Sequence, residues 1–205
     1  MNDYTETEVK VFVTDLQVIA KRLEAAGATL EKPRVYEHNV RYEDAEQTLA
    51  DQDIVVRLRR DARVRLTYKA PHPDPDAGEG GVRKRFEAEV TVDDFDAMDV
   101  ILQRLGYFPH VVYEKYRTTY HLGEAEVVLD EMPFGNFIEV EGTAPVINKT
   151  LELLELAEER RITVSYMVLF SVVKRALGLS FHDLTFKNFE NVYVPSILFR
   201  RLTDA

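Results

Sequence analysis

Thr5-Glu6-Thr7-Glu8-Val9-Lys10-Val11-Phe12-Val13 is the stretch whose reading decides the fold. As a β-strand it puts Glu6, Glu8 and Lys10 on one face and Thr7, Val9 and Val11 on the other. Alternate residues on one face stand about 7 Å apart. Two carboxylates and an ammonium in that row are a poor surface for packing. They suit a site that holds a metal ion and an anion together.

Working outward, the same division recurs along the chain. The ionic face continues with Arg57 and Arg59, then Arg65, Thr67 and Lys69, then Arg83, Arg85, Glu87 and Glu89. Lys115 and Arg117 follow, then Asp130, then Glu139 and Glu141. The opposite faces read Val9, Val11; Val56, Leu58; Leu66, Tyr68; Phe86, Ala88, Val90; Val127, Leu129; Ile138, Val140. A half-buried antiparallel strand with one face in water also alternates. Arginine and glutamate clustered by sign are an unusual choice for such a face, and the helices in between need apolar sheet to cover.

Those helices are read from their ends. Thr14-Asp15 is an N-cap signal, with Leu16, Ile19, Ala20 and Leu23 at helical spacing and Gly27 as the stop. Strands are expected at 35–42, 53–60 and 63–70, the last two joined through Asp61-Ala62. The Pro- and Gly-rich run 71–81 is a loop without a phosphate-loop ending. The pattern then repeats: Arg85 to Val90 as a strand, a helix capped by Asp93 and ending at Gly106, and a strand opening at Val112. Two strand–helix–strand halves are the reading.

Strands at 126–130 and 136–141 bring the count to about eight, so the fold class is α+β: a closed eight-stranded antiparallel β-barrel with helices packed outside. Helical stripes follow at 148–159 and 165–177. If helices cover the outside, the ionic faces line the lumen. Residues 1–180 are then the tunnel domain. Residues 181–205 form an apolar extension, rich in Phe, Tyr and Val, that docks on the body or builds a homodimer.

The 205 residues include no cysteine, which removes disulfides and thiolate chemistry and fits a cytoplasmic address. A formal net charge of −10 argues against nucleic-acid and membrane-surface binding. Any polyanion must therefore meet a local basic site. Glu-x-Glu pairs offer hard oxygens for Mg²⁺ or Mn²⁺, and arginine forks and lysines suit phosphate oxygens. Together they describe a metal-bound polyphosphate in a tunnel. His38, His72, His110, His121 and His182 show no metal-ligand spacing.

At this point the chain resembles the CYTH-domain proteins, the triphosphate tunnel metalloenzymes, and more narrowly their class IV adenylate cyclase branch. The residues that carry the likeness are Glu6-Thr7-Glu8-Val9-Lys10, Val56-Arg57-Leu58-Arg59, Leu66-Thr67-Tyr68-Lys69 and Arg85-Phe86-Glu87-Ala88-Glu89. Lys115-Tyr116-Arg117, Leu129-Asp130 and 135–141 complete the set, in family order. The resemblance implies a triphosphate substrate, ATP or inorganic tripolyphosphate, and one or two divalent metals. It implies Glu6, Glu8, Asp130, Glu139 and Glu141 as metal ligands. It implies Lys10, Arg57, Arg59, Lys69, Arg85, Lys115 and Arg117 as the phosphate clamp.

Lys10 and Lys69 are the catalytic candidates, able to assist proton transfer if the lumen depresses their pKa. Arg65, Arg83, Glu87 and Glu89 are supporting residues. A cyclase attacks the α-phosphate with the ribose hydroxyl; a tripolyphosphatase or a nucleoside or thiamine triphosphatase attacks the terminal phosphate with water. The tunnel residues serve both, and Leu66-Thr67-Tyr68-Lys69-Ala70-Pro71 leans toward the cyclase. A binding module without turnover is the rival from another class. Two features depart from the family pattern: Glu114, and the segment after about Gly178.

Overall fold

The computed structural model describes residues 4–74 and 82–200. The middle of the expected loop and the last five residues lie outside the described residues. Among the described residues nine strands form one sheet: β1 (Thr5–Val13), β2 (Thr29–Glu43), β3 (Val55–Arg60), β4 (Val64–Pro71), β5 (Arg83–Val92), β6 (Phe108–Leu122), β7 (Ala125–Met132), β8 (Gly135–Glu141) and the two-residue β9 (Arg161–Ile162). The order β5-β4-β3-β2-β6-β7-β8-β1, closed by β1 against β5, makes an eight-stranded antiparallel ring.

Closure is local to the start of β1. Thr5 to Glu8 pair with Phe86 to Arg83, and beyond Glu8 that edge of β1 takes β9 instead, at Lys10 and Val11. The other edge of β1 pairs with β8 from Glu8 to Val13. Exchanging β1 with β5, β2 with β6, β3 with β7 and β4 with β8 leaves every neighbour relation unchanged, so the barrel has a pseudo-two-fold topology. The sequence repeat is thus a repeat in space.

Among the described residues seven helices accompany the sheet: α1 (Leu16–Ala25), α2 (Thr48–Asp51), α3 (Phe95–Arg104), α4 (Ala144–Leu153), α5 (Tyr166–Leu177), α6 (Phe186–Phe189) and α7 (Ile197–Arg200). Asp15 caps α1 by accepting from Gln17 and Val18 N–H, and Gly27 takes the left-handed φ that ends it. On α3 the cap is Asp94, one residue after the expected Asp93. The helix expected at 148–159 begins earlier, because Thr143 and a proline in the first turn start it at Ala144. Strands β2 and β6 run 15 residues each, longer than expected. Pro33 hid the start of β2, which continues through it with two register shifts.

Apolar strand faces lie outside the ring. Val9, Val11, Val127, Leu129, Ile138 and Val140 pack against Ile19 and Leu23 of α1 and Ile147 and Leu151 of α4. Burying each such side chain contributes about 1.5–3 kcal/mol. A second cluster joins Val40, Leu58 and Leu102 under α3. The third closes one end of the barrel. Phe12 and Phe137 share strand parity with Lys10 and Glu139, so the inner face turns apolar there. Leu169, Phe170 and Val173 of α5 gather with them, together with Leu184, Phe189 and Phe199. Phe199 stacks on Phe12 with ring centroids 4.8 Å apart. Among the described residues no helix is long and apolar enough to cross a membrane.

Candidate active site: a charged tunnel

Strand alternation carries the charged faces inward, and together they line a cavity of about 380 Å³. Its wall has eleven Lys and Arg side chains against nine Asp and Glu, so it is cationic inside a chain of net charge −10. Glu6, Glu8, Lys10, Arg57, Arg59, Arg65, Lys69, Arg83, Arg85, Glu87, Glu89, Lys115, Arg117, Glu139 and Glu141 all stand on this wall. Asp130 does not. It is fully buried behind the wall, one oxygen bonded by Arg117 Nε at 2.7 Å, the other by Lys115 at 3.0 Å and Tyr166 Oη at 2.9 Å.

Most cations are held by carboxylates. Lys10 Nζ lies 2.7 Å from Glu139 and 3.9 Å from Glu8. Lys69 Nζ lies 2.6 Å from Glu6 and 2.9 Å from Glu87. Arg59 reaches Glu37 at 3.3 Å and Glu89 at 3.1 Å. Arg57 donates to Thr67 at 3.0 Å and to the Tyr113 hydroxyl at 3.1 Å. Arg117 also bonds Glu139, Arg65 bonds Asp61, and Arg85 is turned to Asp53 at 3.3 Å. These pairs offset the cost of taking ions out of water and fix each cation's position.

The balance of burial and pairing sets protonation. Burial disfavours the ammonium forms of Lys10 and Lys69, but Glu139 and Glu8 outweigh it at Lys10, and Glu6 and Glu87 at Lys69. Both pKa values are raised, so the depressed pKa that would make either lysine a base is not met. Burial likewise opposes ionisation of Glu37, yet Lys115, Arg117 and Arg59 hold it well below the carboxylate range. The Tyr113 hydroxyl is lowered despite burial, by Arg57 and Lys115.

One mouth differs from the rest. Glu8, Glu141 and Glu126 sit side by side in register on β1, β8 and β7, and Glu141 has no ion-pair partner among the described residues. Desolvation, then Glu6, Glu126 and Glu87, push its carboxyl up to about 7. Burial and Glu87, opposed by Lys69, raise Glu6 as well. Surplus negative charge on hard oxygens is what a divalent cation relieves. At the same rim Glu31, His121 and Glu126 bring ligand atoms within 4.8 Å of one another, with His121 Nε2 2.7 Å from Glu31.

Several tunnel residues were not anticipated. On β2 the sequence Glu37-His38-Asn39-Val40-Arg41-Tyr42 alternates, and Glu37 and Arg41 join the wall. That alternation was the available signal. Tyr113 shares parity with Lys115 and Arg117. Tyr166 comes from the first turn of α5 and forms the floor, its ring 4.6 Å from Lys10 Nζ and 5.6 Å from Lys115 Nζ.

Comparison with known proteins agrees with this geometry. The profile described as the CYTH domain matches residues 4–169. A Methanocaldococcus jannaschii protein described as a candidate adenylate cyclase is 26% identical over 152 residues, covering 73% of this chain and 83% of its own. The structure of a candidate adenylate cyclase from Vibrio parahaemolyticus superposes with a TM-score of 0.68 at 18% identity, over 83% of this chain and 99% of that one. A Hippeastrum protein, described as a candidate adenylyl cyclase with a dominant triphosphatase activity, gives 0.58 at 18% identity, over 81% and 95%. With the family profile spanning most of its length, the chain belongs to the CYTH domain family.

Proposed function

We propose that this chain is a divalent-metal-dependent enzyme acting on a triphosphate bound in the tunnel, with the chemistry of a class IV adenylate cyclase: ATP to cyclic AMP and pyrophosphate. The observation that carries the reading is the junction of two unlike surfaces. A wall of fixed cations runs into a carboxylate cluster whose member Glu141 has no ion-pair partner among the described residues and is pushed up to about 7. Phosphate oxygens complement the first surface and a hard divalent cation the second.

The donor set fits Mg²⁺ or Mn²⁺. Glu6, Glu8, Glu139 and Glu141 would hold the ion, and Asp130, whose oxygens are engaged behind the wall, would position Lys115 and Arg117. The ion would withdraw charge from the reacting phosphoryl group and acidify the attacking oxygen. The chain's own part is electrostatic. Arg57, Arg59, Lys69, Lys115 and Arg117 bind and align the phosphates, Arg85 meets them by leaving Asp53, and Arg65, Arg83, Glu87 and Glu89 hold the cations apart. Lys10 and Lys69, kept protonated by their carboxylates, act as charges and proton donors at phosphoryl oxygens and not as bases.

A second reading is hydrolysis of the terminal phosphate, favoured by the Hippeastrum relative's dominant triphosphatase activity. Incubation with ATP and, separately, with tripolyphosphate, under Mg²⁺ or Mn²⁺, separates the two. Cyclic AMP with pyrophosphate supports the cyclase. Orthophosphate with no cyclic nucleotide at any pH assigns hydrolysis, and no turnover of either leaves a binding module.

A further inference from the structure

A second cavity, about 360 Å³, opens beside the tunnel and shares Arg41, Ser165 and Met167 with it. Its chemistry is different. Ile54, Val111, Val168 and Phe170 supply apolar wall, and His110 and His182 stand at the rim. The two imidazoles meet edge to face at 5.3 Å, and His182 Nε2 lies 2.6 Å from the His110 carbonyl. Arg41 and Lys174 are matched in number by Glu43 and Asp53 on the cleft lining, although Asp53 is itself engaged by Arg85. Glu43 is itself occupied, accepting the Leu49 and Ala50 N–H groups at 2.9 Å.

Arg41 sits where the two spaces meet. Among the described residues no hydrogen bond or ion pair holds it, unlike Lys10, Arg57, Arg59, Lys69, Lys115 and Arg117. It is the register neighbour of Arg57, so a cation without a partner stands next to another cation. An anion bridging from the tunnel relieves both.

We propose that this side cleft takes the organic group esterified to the triphosphate, a heteroaromatic group of nucleoside size, with Arg41 on the phosphate nearest to it. The proposal rests on reading the tunnel as the triphosphate site. The cleft's size falls in the range of small-molecule sites, and its mix of apolar wall and few polar groups is the usual one. The imidazoles would meet the ring edge, and Met167 and Ile54 the ring face. A triphosphate with no organic group leaves the cleft empty, so the cleft separates a nucleotide substrate from inorganic tripolyphosphate.

The test measures equilibrium binding of a non-reacting ATP analogue and of tripolyphosphate, each with Mn²⁺, by calorimetry on the full chain. Two variants change exposed cleft residues outside the tunnel wall: Ser171→Trp, which fills the cleft, and His182→Ala, which removes a rim imidazole. Both should weaken the nucleotide analogue by about tenfold or more while tripolyphosphate stays within about twofold. Thermal melting checks that each variant is folded. Equal shifts for both ligands, no shift for either, or a wild-type protein that binds tripolyphosphate but no nucleotide would overturn the cleft assignment and leave the tunnel reading standing. A wild-type protein that binds neither overturns both.

Discussion

Glu114 on β6 accepts a hydrogen bond from the backbone N–H of Phe186, 72 residues further on, at 2.8 Å. Beside it Leu184 N–H donates to the Val112 carbonyl and Glu114 N–H to the Leu184 carbonyl, both at 2.9 Å. The two departures from the family pattern, an acidic residue in β6 and an added segment after Gly178, are therefore one feature. The carboxylate anchors the segment, and Leu184, Phe189 and Phe199 fill the apolar end of the barrel.

Glu114→Ala should lower stability by roughly 1–3 kcal/mol in urea unfolding, the cost of leaving a donor without its charged acceptor. Truncation after Leu179 should cost more, since it uncovers Phe12, Phe134 and Phe137. A truncated chain with unchanged melting temperature and no new dye-binding surface would refute this account of the segment.

Glu139 and Glu141 share a strand face but should respond oppositely. Glu139→Gln removes a partner from both Lys10 and Arg117 and should destabilise the metal-free protein by about 1–3 kcal/mol. Glu141→Gln relieves repulsion from Glu6 and Glu126 and should raise the metal-free melting temperature. The double variant should lose Mn²⁺ binding by calorimetry. Unchanged Mn²⁺ affinity would place the metal elsewhere, and the Glu31, His121, Glu126 group would be the next place to look.

Arg57 is held by Thr67, Tyr113 and Glu89 and, among the described residues, makes no ion pair with a fully buried acid. Arg57→Ala should therefore weaken tripolyphosphate binding by about 1.5–3 kcal/mol with little loss of stability. Arg59→Ala should weaken it similarly but also destabilise, because Glu37 is 1% exposed and would keep Lys115, at 3.7 Å, as its one ion-pair partner among the described residues. Equal melting temperatures for the two variants would contradict the pairing described.

Stability of the metal-free protein should carry a specific pH signature. Glu141 titrates near 7 folded and at its ordinary 4.5 unfolded. Between those values the folded state holds a proton that the unfolded state has lost, so this group's contribution falls as pH rises through the window. His38, lowered by burial and Arg60, works the other way below its ordinary 6.5. Subtracting the Glu141→Gln profile from the wild type, in chelator, cancels His38. A flat difference between pH 4.5 and 7 would mean that Glu141 is not perturbed.

The barrel was legible because charge alternation is a period-two signal, and the strands from β3 to β5 and β7 to β8 carry it, interrupted at Lys84 and Val128. The tunnel wall was legible for the same reason. What was missed is what does not follow from alternation within one strand. Pro33 masks only the start of β2; Glu37 and Arg41 lie inside the expected strand 35–42, but the uncharged Asn39 between them breaks the ionic row on that face. Tyr166 reaches the tunnel floor only because α5 docks at the barrel end, which is a tertiary event. Asp130 has the parity of a wall residue but lies behind Lys115 and Arg117, and no spacing distinguishes the two positions.

The pairing of β1 has a consequence for the nascent chain. Its partners are Arg83 to Phe86 and then Arg161 and Ile162 on one edge, and Asn136 to Glu141 on the other. At about 5–20 residues per second of synthesis, β1 waits roughly 4–30 s for them. An unpaired strand of such length is prone to stray pairing, and inward charges are a recognised guard against it. Glu6, Glu8 and Lys10 are charges of that kind, and β1 carries them before there is a lumen to line.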